Sequence, residues 1–280
     1  MGTVVRPMTV DVELLYRQHL SGSDRQLLAE TAPGASLVDA LGAEGTERAV
    51  FGADQWGVTG GPAPVTPFLT FAVAVHRTAW SLSQSTHIEE WAGPHIRLPV
   101  FDVPRLSEFL ADPVRRFFMV ELLGSYTHVS SGVAWEHTAR GWRRKRFSEM
   151  DPLTLAGLLE SVGPEERPGV YRRLGDLALF LTGVFPDHTA KEMPSGARAA
   201  RLFRLSGLSP AEVESLEGLA LYECLGARWY RQAGRSVAGT ATASLAAAEE
   251  YGERFNDARR ILNSVTDRYL FPLRQQWFGH

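Results

Sequence analysis

Helix-start signals recur along this chain. Thr66–Pro67, Asp151–Pro152 and Ser209–Pro210 each join a side chain that can cap a helix to a proline, which suits only the first turn. Glu212 lies three residues after Ser209 and completes the pattern of a capping box. These signals predict a mostly α-helical protein with a helical bundle-like core.

The spacing of apolar residues supports the same fold class. After Thr66–Pro67 they recur at intervals of three and four, at Phe68, Phe71, Ala72, Val75, Ala79 and Leu82. A second helix is predicted over residues 169–185, and a last one over 248–269 that stops before Pro272. The last helix has a heptad-like apolar stripe, which predicts either a homo-oligomer or packing inside the chain.

Glycine and proline mark the segments that are not helical. They are so dense over residues 52–66 that a loop is predicted there, which separates an N-terminal region, 1–65, from a helical core, 66–280. The same pattern is compatible with one continuous domain. Ile96, Leu98 and Val100 alternate as in a short extended segment. Over residues 133–147 a small β-hairpin is predicted, with a polar helix as the alternative.

Composition narrows the class of protein. With 29 basic and 32 acidic residues the net charge is −3, and 44% of the residues are hydrophobic, as in an ordinary globular protein. A single cysteine, Cys224, excludes a disulfide framework and a thiolate-based zinc site. The N-terminus has no signal-peptide pattern, and the apolar run over 68–82 is too short to span a membrane. We therefore expect a cytoplasmic protein without a membrane partner.

Common catalytic and nucleotide-binding motifs are absent from the sequence. It contains neither G-x-G-x-x-G nor the P-loop pattern, and neither H-E-x-x-H nor G-x-S-x-G. No cofactor and no metal site are predicted on this basis. Whether the protein is an enzyme stays open.

A cluster of five cations is the strongest functional signal. Arg140, Arg143, Arg144, Lys145 and Arg146 lie within seven residues, with Trp142 between them. Guanidinium groups beside an aromatic ring suit phosphate binding and base stacking. The plainer interpretation is a solvated surface segment balanced by Glu136, Glu149 and Asp151. The leading hypothesis is a non-enzymatic binding or regulatory protein that recognises an anionic partner, namely nucleic acid, an acidic protein or a phosphorylated ligand.

Asp176 is a second candidate because it lies among apolar residues of the helix over 169–185. We expect it to be buried and paired with Arg172, with Arg173 or with an arginine of another helix. If the pair is structural, Asp176→Asn should cost about 3 to 5 kcal/mol of stability. The functional alternative is a general acid or base with a raised pKa.

A pocket between core helices is the alternative site. Four polar residues on mainly apolar helices are its weak catalytic candidates: His76, Glu121, His128 and Asp176. Such groups are costly to bury unless they are paired, so their meeting in one cavity would indicate an enzyme or a protein that binds a small molecule, haem or a metal. A lone histidine on an apolar helix is more often a satisfied core residue. The aromatic residues around Cys224 are read in the same way, as core.

Two segments resemble a family of predominantly helical bacterial proteins. The first comprises residues 171–176 (YRRLGD), 179–181 (LFL) and 183–186 (GVFP), and the second comprises 221–223 (LYE) and 225–230 (LGARWY). The resemblance implies a bacterial source and a helical fold. It implies no activity, cofactor or catalytic residue.

Overall fold

A computed structural model describes most of the chain. The described residues are 10–52, 65–94, 96–128, 131–138, 141–192, 196–209, 211–212, 216, 218–235 and 243–270. For 131–138, 141–147 and 243–246 the description is of the backbone alone. The structure is mostly α-helical, as the sequence predicts, and its strands form two antiparallel hairpins.

The N-terminal part consists of short capped helices and one long helix. They are α1 (Val12–His19), α2 (Gly22–Thr31), α3 (Leu37–Gly42), α4 (Glu44–Phe51) and α5 (Pro67–Gln84). The side chains of Asp11, Ser21, Ser36 and Thr66 each accept a backbone N–H at a helix start. Most of the predicted loop over 52–66 lies outside the described residues.

The middle of the chain holds both hairpins and two helices. Their order is β1 (Ile88–Gly93), β2 (Ile96–Val100), α6 (Val103–Ala111), α7 (Pro113–Ser125), β3 (Ser131–Thr138) and β4 (Gly141–Ser148). The hairpin predicted over 133–147 is therefore confirmed. The extended segment at Ile96 is also confirmed, although its partner strand β1 was not predicted.

The C-terminal half is helical in all its described elements. They are α8 (Pro152–Gly157), a 3-10 turn (Leu158–Glu160), α9 (Arg167–Val184), α10 (Pro186–Lys191), α11 (Gly196–Ser206), α12 (Leu219–Arg235), α13 (Ala243–Glu253), α14 (Phe255–Val265) and a π-helical turn (Thr266–Leu270). The prediction of one unbroken last helix was wrong, because the helix breaks at Arg254, whose φ is −116° and ψ 33°. The apolar stripe of this segment is buried within the chain, so internal packing accounts for it.

Helix α9 lies at the centre of the core, packed against α12 and α14. Its glycines allow the close approach that the packing needs. A Cβ at Gly175 would lie 2.6 Å from the ring of Tyr230, and one at Gly183 would lie 2.5 Å from Leu262. Helix α5 is the second central element, because every residue from Leu69 to Thr78 is buried.

The first four helices belong to the same hydrophobic core as the rest of the described chain. Polar contacts reinforce this junction. Thr66 donates to the buried Asp24 through its backbone N–H and its hydroxyl, at 3.1 and 2.8 Å. Glu47 on α4 contacts Arg77 Nε at 2.6 Å and accepts a hydrogen bond from Tyr269 at 2.8 Å. None of the described helices has the length and apolar character needed to cross a bilayer.

Candidate functional site

The predicted cationic cluster lies on strand β4 of the second hairpin. Arg140 is outside the described residues, and residues 142–146 are described by their backbone. In the register, Arg143 lies opposite Glu136, whereas Arg144, Lys145 and Arg146 lie opposite Trp135, Ala134 and Val133. Glu136 is therefore the one carboxylate residue directly opposite these cations in the register. We call residues 131–148 the Arg-rich ribbon.

The ribbon is a two-stranded sheet whose strands pair with each other and with no other described strand. No described helix makes an extensive contact with either strand. A two-stranded hairpin on its own is only marginally stable in water. The way its two ends are held on the helical body therefore matters.

Arg173 on α9 contacts residues on either side of the Arg-rich ribbon. Its Nη1 donates to Ser125 Oγ at 2.8 Å, before β3, and its Nη2 to Glu149 Oε2 at 3.4 Å, directly after β4. The guanidinium also lies 4.1 Å from the centre of the Tyr126 ring, a cation–π contact. Asp151 is occupied as well, since it caps α8 and accepts from Arg198 at 3.3 Å. Glu149 and Asp151, two of the three carboxylates that could balance the cations, are thus engaged elsewhere.

Arg172, the neighbour of Arg173, binds inside the helical body. Its Nη2 donates to Glu121 Oε2 on α7 at 2.5 Å, and its Nε lies 3.6 Å from Asp176 Oδ2. Tyr230 on α12 donates its phenol hydrogen to Asp176 Oδ1 at 2.8 Å. Asp176 is only 5% exposed. The prediction that Asp176 is buried and paired is confirmed, and Tyr230 is a partner that the sequence did not reveal.

Burial dominates the ionisation of Asp176. It raises the pKa of the carboxyl above its ordinary value, although Arg172 and the hydrogen bond from Tyr230 act in the opposite direction. The carboxyl group is surrounded by protein, so a substrate cannot reach it without rearrangement. A structural role for Asp176 is therefore the simpler account of this geometry.

Two of the four pocket candidates meet in one cavity. Glu121 and His128 line a space of about 340 Å³ at the end of α7, together with His19, Phe68 and Ser125. The imidazole of His19 stacks on Phe68 with ring centres 4.7 Å apart. Asp176 does not line this cavity. Arg172 lies between Asp176 and Glu121 and contacts both carboxylates. The four candidates therefore do not converge on one site.

His76 lies deeper in the core, on α5. A hydrogen bond of 2.9 Å joins its Nε2 to the hydroxyl of Tyr16, and the side chain is 6% exposed. Burial, together with the positive charge of Arg116, lowers the pKa of His76 to about 3. The histidine is therefore neutral at physiological pH, and its role is structural, as a hydrogen-bonded residue of the core.

Metal ligands, the cysteine and similarity to known proteins indicate no further site. Within the described residues, no group of three or more histidine, cysteine, aspartate or glutamate side chains could hold a metal ion. Cys224 is half-buried, and burial raises the pKa of its thiol, which is unlike a reactive cysteine. Comparisons of the chain with family models, with curated proteins and with solved structures gave no match. The resemblance to a helical bacterial family stays a prediction.

Proposed function

We propose that this protein is a binding protein that recognises an anionic partner through the Arg-rich ribbon. The observation that carries the proposal is the register of the hairpin. Arg144, Lys145 and Arg146 lie opposite uncharged residues, while Glu149 is engaged by Arg173. Arg144 and Arg146 belong to the same face of β4, where like charges repel each other, so an anion from outside would stabilise these cations.

The chemistry of the cluster suits groups with several oxygen atoms. Arginine binds phosphate and carboxylate with two parallel hydrogen bonds, and Trp142 adds an aromatic surface for stacking. Successive residues of a strand belong to opposite faces of a sheet, so both faces of β4 have cationic positions. A two-stranded ribbon also has the right width for the major groove of DNA. Nucleic acid, an acidic protein segment and a phosphorylated ligand all share the required chemistry.

Charge reversal tests the proposal. A variant with Arg143→Glu, Arg144→Glu and Arg146→Glu is compared with a control that reverses Arg17, Arg25 and Arg204, three exposed arginines on other elements. The net charge changes equally in both. Binding to duplex DNA, single-stranded RNA, polyglutamate and a phosphopeptide is measured by fluorescence anisotropy over a range of salt concentrations.

We expect the wild type and the control to bind at least one probe, with an affinity that falls as salt rises, and the ribbon variant to lose most of it. For B-DNA the slope of log affinity against log salt should fall by roughly 3 when three phosphate contacts are removed. Equal binding by both variants, or no binding of any probe by the wild type, would contradict the proposal. Whichever probe the wild type prefers identifies the class of partner.

A further inference from the structure

A groove lies between α5, β1 and the π-helical turn, away from the Arg-rich ribbon. Its volume is about 320 Å³, within the size range of small-molecule sites. Helix α5 supplies one wall at helical spacing, through Thr78, Ser81, Leu82 and Ser85, and the opposite wall comprises Ser264, Asp267 and Arg268. We call it the α5–α14 groove. It is rich in hydroxyl groups, which distinguishes it from an ordinary gap between apolar helices.

Thr78 is the first residue that points to a ligand site. Its side chain is 1% exposed, and its hydroxyl has no hydrogen-bond partner among the described residues. A buried hydroxyl left without a partner is costly, and native proteins contain few of them. Thr78 lines the groove, so an acceptor atom of a ligand would satisfy this hydroxyl after a small rearrangement of the groove wall.

Arg268 is the second residue that points to a ligand site. Its guanidinium donates to Ser81 Oγ across the groove. It also lies 5.3 Å from the centre of the Tyr269 ring, and among the described residues no carboxylate forms a salt bridge with it. The two acidic residues that border the groove have partners of their own: Asp267 accepts from Arg97 at 2.8 and 3.2 Å, and Glu89 lies 3.7 Å from His87.

The position of Arg268 on the backbone is also unusual. It lies in the π-helical turn, Thr266–Leu270, that follows α14. Such turns are rare and occur frequently at functional sites. The turn places Asp267 and Arg268 along the same wall as Ser264, so that the arginine faces the hydroxyls of α5.

We infer that the α5–α14 groove binds a small molecule through an oxyanion group, either a phosphate or a carboxylate. Arg268 supplies the positive charge and two parallel donors, and the hydroxyl of Thr78 supplies a further hydrogen bond. Ser264 lies on the rim beside Arg268. This site is independent of the anionic partner proposed for the ribbon.

Titration with simple oxyanions tests the inference. The probes are inorganic phosphate, followed by ³¹P NMR, and succinate, followed by ¹H NMR, both at constant ionic strength. The proteins are the wild type, Arg268→Gln, Thr78→Val and a control, Arg17→Gln, which changes an exposed arginine on α1. The ribbon charge-reversal variant is included so that binding of phosphate at the ribbon is measured separately.

We expect one of the two probes to bind the wild type, the Arg17→Gln control and the ribbon variant with equal affinity. Arg268→Gln should weaken this binding at least tenfold. Thr78→Val keeps the shape of the side chain, so it should weaken binding without lowering the thermal stability of the free protein. The inference is overturned if neither probe binds the wild type, or if Arg268→Gln binds as tightly. Preference for phosphate or for succinate identifies the oxyanion.

Discussion

Asp176 has two partners: the phenol of Tyr230 on another helix, and Arg172, which also binds Glu121. Because Arg172 also binds Glu121 at 2.5 Å, removing the charge of Asp176 does not leave Arg172 without a carboxylate. Asparagine can still accept the hydrogen bond from Tyr230. The loss of stability that the sequence predicts for Asp176→Asn, about 3 to 5 kcal/mol, assumes an ion pair in which neither residue has another partner. The geometry indicates a loss of about 1 to 3 kcal/mol instead.

The pH dependence of Asp176→Asn should reveal the raised pKa. A carboxyl whose pKa is raised by folding contributes most below its ordinary pKa of 3.8, and that contribution is lost as pH rises through the higher, folded value. Asparagine does not ionise. The stability advantage of the wild type over Asp176→Asn should therefore shrink as pH rises from 4 to 8, measured by urea unfolding. His76 titrates equally in both proteins, so its contribution cancels.

Asp39→Asn, on the exposed first turn of α3, is the control. It also removes one carboxylate, so it controls for the change in net charge. If the advantage of the wild type over Asp176→Asn grows with pH, Arg172 outweighs burial and the direction of the pKa shift is wrong.

The pairing of Asp176 with Arg172 was predicted from the sequence because the two residues lie one helical turn apart within an apolar stretch. The hydrogen bond from Tyr230 was not predicted, because Tyr230 lies 54 positions further along the chain. Thr78 and Arg268 were missed for the same reason, since only folding brings α5 beside the π-helical turn. Spacing along one helix is visible in a sequence, whereas contacts between helices are not.

At the scale of elements, the approach of α9 to α12 depends on Gly175. An alanine there gains helix propensity, about 1 kcal/mol. Its Cβ would meet the ring of Tyr230 at 2.6 Å, and the ring cannot retreat without losing its hydrogen bond to Asp176. We expect Gly175→Ala to destabilise the protein by about 1 to 3 kcal/mol by thermal unfolding.

Gly169 offers a matched control on the same helix. A Cβ at Gly169 would have no atom within 4 Å, so Gly169→Ala should leave stability unchanged or raise it by up to about 1 kcal/mol. Equal effects of the two substitutions would show that close packing at Gly175 has no energetic importance.

Helix starts were predicted well because capping is local chemistry. Ser209 and Glu212 make the hydrogen bonds of the predicted capping box, at 2.8 and 3.3 Å. The β3–β4 hairpin was predicted from its turn residues, but β1 was not, because its residues include Glu89 and Glu90 and lack regular alternation. The break at Arg254 was not predicted because the apolar spacing continues through it, although Gly252 lies two residues before it.

For the whole molecule, we expect one cooperative unfolding transition. Tyr16, Asp24 and Glu47 connect the first four helices to α5 and to the π-helical turn. Calorimetry, tryptophan fluorescence and far-UV circular dichroism should therefore give the same melting temperature. A fragment of residues 66–280 should fail to show this transition, because α5 would expose its apolar residues to water. Independent melting of that fragment at the wild-type temperature would instead establish two domains.

Arg172 and Arg173 are consecutive residues on a helix, yet Arg172 binds Glu121 in the helical body and Arg173 binds residues on either side of the Arg-rich ribbon. Helix α9, which carries Arg173, is buried from Leu174 to Val184 and is therefore well packed. Association is weakened whenever a binding element must give up freedom of orientation. Because Arg173 already restrains a residue on each side of the ribbon, we expect part of that entropy to be lost before a partner arrives.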